Sequence, residues 1–111
     1  DYYIFQRSQV VNQQEQLKEQ VELLAYQYEN RFKNLEEKIK LYEENEAMYD
    51  ELYKKNKKIL ENGLMIENEL EQVRMGLNSS IMQLNSAKKD YQLLMKEYEL
   101  FQKGLLAVQG Y

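Results

Sequence analysis

Glu36, Glu37, Glu43, Glu44 and Glu46 crowd one short stretch of this chain, and paired carboxylates are the raw material of general acid–base catalysis. That chemistry needs one carboxyl held neutral beside another held charged, which takes an enclosed pocket able to shift a pKa. A solvated helix face offers no such enclosure. Lys54, Lys55, Lys57 and Lys58 form a basic run that could meet an anionic partner. On a helix, however, these four point in several directions. Asp50 and Glu51 stand four residues before Lys54 and Lys55, the favourable order for surface ion pairs. An ordinary solvated face is the expectation, with no nucleic acid as partner.

The remaining chemistry is limited by what the composition lacks. There is no His and no Cys, so the usual acid–base group, thiolate nucleophiles and disulfides are all missing. No Gly-rich phosphate loop or nucleophile elbow occurs. Asn78-Ser79-Ser80 fits the glycosylation sequon, which has meaning only in a secreted protein. The residues therefore predict no enzyme, no cofactor, no metal and no small-molecule substrate. The formal net charge of -4 supplies no field to attract polyanions. No apolar run approaches the roughly 18 residues of a membrane span, so direct membrane insertion is not expected. The chain opens on Asp1 without a signal-peptide pattern. The expectation is an intracellular, single coiled-coil segment over 1–111, cut from a longer protein.

The elements that carry these side chains are helices. Pro is absent, and Glu, Lys, Gln and Leu dominate. A seven-residue repeat runs the length of the chain, with position a at residue numbers divisible by seven and d three residues later. The a and d columns supply a candidate oligomerisation seam. It comprises Val10, Leu17, Val21, Leu24, Tyr28, Leu35, Tyr42, Tyr49, Leu52, Ile59, Ile66, Leu70, Val73, Leu77, Leu84, Tyr91, Leu94, Tyr98, Phe101 and Leu105. About three quarters of all a and d positions are apolar, against 43% for the whole chain. Position e adds Ile4, Val11, Ala25, Phe32, Ile39, Tyr53 and Leu60, while g is polar, with Gln6, Gln13, Gln20, Gln27 and Asn34.

A stripe of this kind cannot stay in water, so the helix requires other helices, of the same or of different chains. Its a/d/e width suits an assembly of two to four strands, with more than two favoured. Arg31, Lys38 and Asn45 at successive d positions, and Asn56 at a, are candidate polar layers that fix register or partner. The competing explanation is that the seam moves locally onto e, where Phe32 and Ile39 lie, while Arg31 and Lys38 reach outward along their apolar stems.

Asn62, Gly63 and Gly76 are candidate hinges. Gly readily supplies the left-handed residue that ends a helix, and Ser80 and Gln83 have capping-box spacing. The phase of the a/d columns nonetheless crosses both sites unchanged. The fold expected is therefore all-α: a continuous helical rod, with a helical hairpin turning near Asn62-Gly63 or Gly76–Ser80 as the alternative. The corresponding functions are a structural segment that oligomerises or scaffolds by coiled-coil packing, or a compact hairpin acting as a secretion chaperone, adaptor or effector domain.

Overall fold

The computed structural model describes residues 1–63 and 67–109, with side chains through residue 107. The fold is all-α, as the composition and the repeat predict, and no strand occurs among the described residues. Helix α1 spans Tyr2–Glu61 and helix α2 spans Glu67–Gln109. The chain divides into two units, Asp1–Lys33 and Asn34–Tyr111.

The first unit is the beginning of α1. Asp1 caps it: its carbonyl oxygen accepts from the Phe5 amide at 3.0 Å, and its Oδ1 accepts from the Tyr3 amide at 3.4 Å. An aspartate in this position satisfies backbone donors that the first turn leaves unpaired, and its charge complements the helix dipole. Most of the unit's side chains are exposed, and only Val21, Tyr28 and Phe32 reach half-burial. The Arg31 guanidinium lies 5.5 Å over the Tyr28 ring.

The second unit is an antiparallel helical hairpin made from the rest of α1 and from α2. Three cross-helix contacts fix its register. Glu36 faces Tyr91, Tyr42 shares a recess with Gln83 and Ala87, and Tyr49 lies against Gly76. A step towards the turn on α1 is thus matched by a similar step on α2, about 13 residues from Glu36 to Tyr49 against about 15 from Tyr91 to Gly76. At the turn, the Asn62 amide donates to the Lys58 carbonyl at 3.2 Å, and the Gly63 amide donates to the Leu60 carbonyl at 2.9 Å. Gly63 has φ 72, the left-handed conformation in which a Cβ would be strained. This is the glycine helix stop that the Asn62-Gly63 pair suggested. Glu67 and Glu69 in the first turn of α2 favour its start through the helix dipole.

The chain therefore takes the hairpin form, and the continuous rod is corrected. An unbroken a/d phase points to the rod, but on the hairpin arm of α1 the buried stripe takes in the whole e column beside a and only part of d. From Leu35 to Leu60, α1 turns inward the a residues Leu35, Tyr42, Tyr49 and Asn56, the e residues Ile39, Glu46, Tyr53 and Leu60, and beside them Asn45 and Ile59 at d and Asp50. On α2 the inward residues follow a and d, from Leu70 and Val73 to Phe101 and Leu105. The two arms have different seams, as two separate helices would. Gly76 is not a turn either, because it lies inside α2.

Two helices can cover only one face of each other, so the core is thin. Leu84, Ala87 and Leu94 are buried hydrophobics, Ser80 is a buried polar residue, and α1 buries no residue fully.

Candidate interaction surface

The predicted seam residues separate into three environments. Leu84 and Leu94 are buried in the hairpin unit. Leu35, Tyr42, Tyr49, Ile59, Leu70, Val73, Leu77, Tyr91, Tyr98, Phe101 and Leu105 are half-buried within the same unit, as are Val21 and Tyr28 in the first. Val10 and Leu17, each 52% exposed, and Leu24, 43% exposed, stay open to solvent, as does Leu52. Ile66 lies outside the described residues. Much of the pattern that called for a partner is therefore answered within one chain, on the hairpin. The N-terminal part of the pattern is not.

The polar residues of the seam follow the same division. Arg31 and Lys38 are exposed at d, while Phe32 and Ile39 beside them at e are half-buried. The local shift of the stripe onto e accounts for both, since a charged head at the edge of the stripe can remain in water. Asn45 and Asn56 are half-buried. Asn62 and Gly63 form the turn.

Gly76 has a different role from the hinge proposed for it. A Cβ built there would lie 2.7 Å from Cε1 of Tyr49, so the glycine leaves room for the tyrosine ring against the α2 backbone. One turn on, the Ser80 hydroxyl donates to the Gly76 carbonyl at 3.0 Å, which lets a buried serine satisfy itself within its own helix. The sequon serine is thus held inside a packed helix. Gly76, Ser80 and Ala87 together give α2 a small-residue strip, and Tyr42 and Tyr49 supply the bulk from α1. This large-against-small fit was missed. Its signal was available: tyrosines seven apart on one helix, and small residues on the inward face of the other.

Polar chemistry on the surface is modest. The Tyr91 hydroxyl donates to Oε1 of Glu36 at 3.2 Å. Partial burial of the phenol, followed by that hydrogen bond and the carboxylate's charge, raises the Tyr91 pKa above 10.0. Lys54 pairs with Asp50 at 2.9 Å, the i,i+4 contact expected of a solvated face, and both partners are largely exposed. Among the described residues no group of His, Cys, Asp or Glu side chains could hold a metal ion. Among them, too, no helix is long and apolar enough to cross a membrane.

Two exposed surfaces stand out among the described residues. The first is the N-terminal stripe, where Ile4, Val10, Val11, Leu17 and Leu24 are each more than two fifths exposed. The second lies on the outer side of α2, where Met75, Asn78, Ser79, Met82, Gln83 and Ser86 line a shallow groove. Met75 and Met82 are 64% and 72% exposed there, and no charged residue occurs from Met75 to Ala87. Set beside known proteins, the chain matches no protein-family model, no curated protein and no solved structure.

Proposed function

We propose that this chain is a structural interaction segment that oligomerises or scaffolds by packing helices, and that it carries no catalytic role. The supporting observation is the uncovered stripe at the start of α1. Five aliphatic residues at d and e positions face water there, and burying such side chains against another helix is worth about 1.5–3 kcal/mol each when complete. Light scattering on the whole chain tests the reading. A mass at a multiple of 13.5 kDa is expected, falling to a single chain in the double variant Val10→Glu/Leu17→Glu, because carboxylates would be forced into the contact. A single-chain mass for the unaltered protein overturns it.

A second reading, the compact hairpin as adaptor or secretion chaperone, draws support from the turn at Gly63 and from the uncharged groove of Met75 and Met82. Exposed methionines adapt their shape to varied apolar partners. A chain that stays single yet loses ligand-free mobility at these methionines on adding a helical partner would favour this reading over the first.

A further inference from the structure

We propose that Asn62-Gly63 is a site of spontaneous covalent modification, at which the asparagine side chain cyclises onto the glycine nitrogen and reopens as isoaspartate or aspartate. The inference goes beyond the helix-packing reading and holds whether or not the chain oligomerises.

The reaction requires the backbone nitrogen after an asparagine to reach that asparagine's own Cγ. A side chain on the following residue hinders the approach, and a helix prevents it by tying up the nitrogen and fixing the torsion between the two groups. Of the nine asparagines, Asn62 alone precedes a glycine, so no Cβ crowds the attacking nitrogen. The other eight lie inside α1 or α2, including Asn78 and Asn85, which precede serines. Asn62 stands one residue past the end of α1, and it and Gly63 are both exposed. Around Gly63 an added Cβ would meet nothing within 4 Å, so water reaches the glycine freely. The Gly63 amide donates to the Leu60 carbonyl, three residues back, at 2.9 Å. A bond of this spacing has poorer geometry than the helical ladder, and at a helix end it opens at little cost. The nitrogens after Asn78 and Asn85 belong to the interior of α2, where opening must unravel packed turns.

The step balances with water as its sole reactant. Solvent base takes the Gly63 amide proton, and the nitrogen forms a bond to Cγ of Asn62. The bond from Cγ to Nδ2 breaks, and Nδ2 leaves as ammonia with a third proton from water. Water then adds to one carbonyl of the cyclic imide. Addition at Cγ restores the ordinary backbone as aspartate, whereas addition at the main-chain carbonyl leaves the chain running through Cβ and Cγ as isoaspartate. Either product sets a new carboxylate beside Glu61 at the C-terminal end of α1, where the helix dipole disfavours negative charge. Isoaspartate also inserts a carbon into the main chain ahead of Gly63, whose φ of 72 ends the helix. Modification therefore loosens the hairpin at its turn.

The test ages the full-length chain in mildly alkaline buffer, folded and in parallel in concentrated urea, then digests it and weighs each asparagine peptide. Exchange of the amide for a hydroxyl marks conversion. In the folded chain Asn62 should convert first, and urea should speed it by less than about threefold. Asn78 and Asn85 should speed up by more than about tenfold in urea, once the helix no longer restrains them. An Asn62 rate that rises in urea as steeply as theirs overturns the proposal, because the turn would then protect the pair as a helix does. Equal conversion of all three in the folded chain overturns it as well. The aged, isoaspartate-enriched chain should melt a few degrees below the fresh one by circular dichroism, and an unchanged melt overturns the loosening of the turn.

Discussion

The beginning of α1 and the middle of α2 carry the same kind of repeat and meet opposite fates. On α2, Leu84, Ala87 and Leu94 keep 5%, 4% and 3% of their surface exposed. At the start of α1, Val10, Leu17 and Leu24 keep 52%, 52% and 43%. Both sets are aliphatic and both lie on the a and d columns of one repeat, so neither hydrophobicity nor period separates the two regions. What separates them is whether the chain itself returns to cover the stripe. A heptad states that a partner is needed, and the turn at Gly63 decides which part of the pattern is satisfied internally.

The largest effect that could break this contrast is truncation of a matched pair of leucines. Leu84→Ala should cost about 2–3 kcal/mol, since removing a buried leucine side chain leaves a cavity in the hairpin core. Leu17→Ala should change the stability of the isolated chain by less than about 0.5 kcal/mol, because its side chain already meets water. Urea titration followed by circular dichroism at low protein concentration measures both. Equal losses would mean that Leu17 is covered in solution and that the two regions do not differ.

A sharper comparison uses two glycines of α2. Replacing a mid-helix glycine by alanine normally stabilises by about 1 kcal/mol. At Gly104 an added Cβ meets nothing within 4 Å, so Gly104→Ala should realise that gain. At Gly76 the Cβ would strike the Tyr49 ring, and overpacking of this kind costs about 1–3 kcal/mol. Gly76→Ala should therefore destabilise by roughly 1 kcal/mol net, the clash exceeding the propensity gain. In a Tyr49→Leu background the same change should become favourable. If Gly76→Ala stabilises the unaltered protein as much as Gly104→Ala does, the ring is not seated on the glycine.

These contrasts mark where the sequence was informative. Helix was readable from composition alone, since nothing from Tyr2 to Glu61 interrupts good helix formers. The turn was readable at Asn62-Gly63, because that glycine costs least where a helix must end. The rod was preferred because the a and d columns continue across the turn. That argument fails on Ile39, Tyr53 and Leu60, whose e positions share the inward face of α1 with the a column in the hairpin. The apolar e column suggests extra width, but it marks a seam turned towards e. Arg31 and Lys38 at d belong to the same rotation. The seat of Tyr49 on Gly76 was out of reach of local reasoning, because it needs the register across the turn. Periodicity likewise cannot say whether Val10 and Leu17 are to be covered by this chain or by another.

The smallest effect concerns the polar contact at the edge of the hairpin. The Tyr91 hydroxyl gives its proton to a hydrogen bond with Glu36, and its pKa in the folded chain lies above the ordinary 10.0. A raised folded pKa means that the native state holds this proton more tightly than the unfolded chain does. The stabilisation is therefore complete below pH 10.0 and is lost as pH rises through the raised value. Tyr91→Phe removes the bond and the titration together. Its melting temperature should lie slightly below that of the unaltered chain, by a constant gap, from pH 7 to pH 9. Above pH 10.0 the gap should close and then reverse, because a phenolate beside the Glu36 carboxylate repels where the phenylalanine does not. A gap that stays constant through that range would show that Tyr91 and Glu36 do not meet in solution, and the outer end of the hairpin register would have to be redrawn.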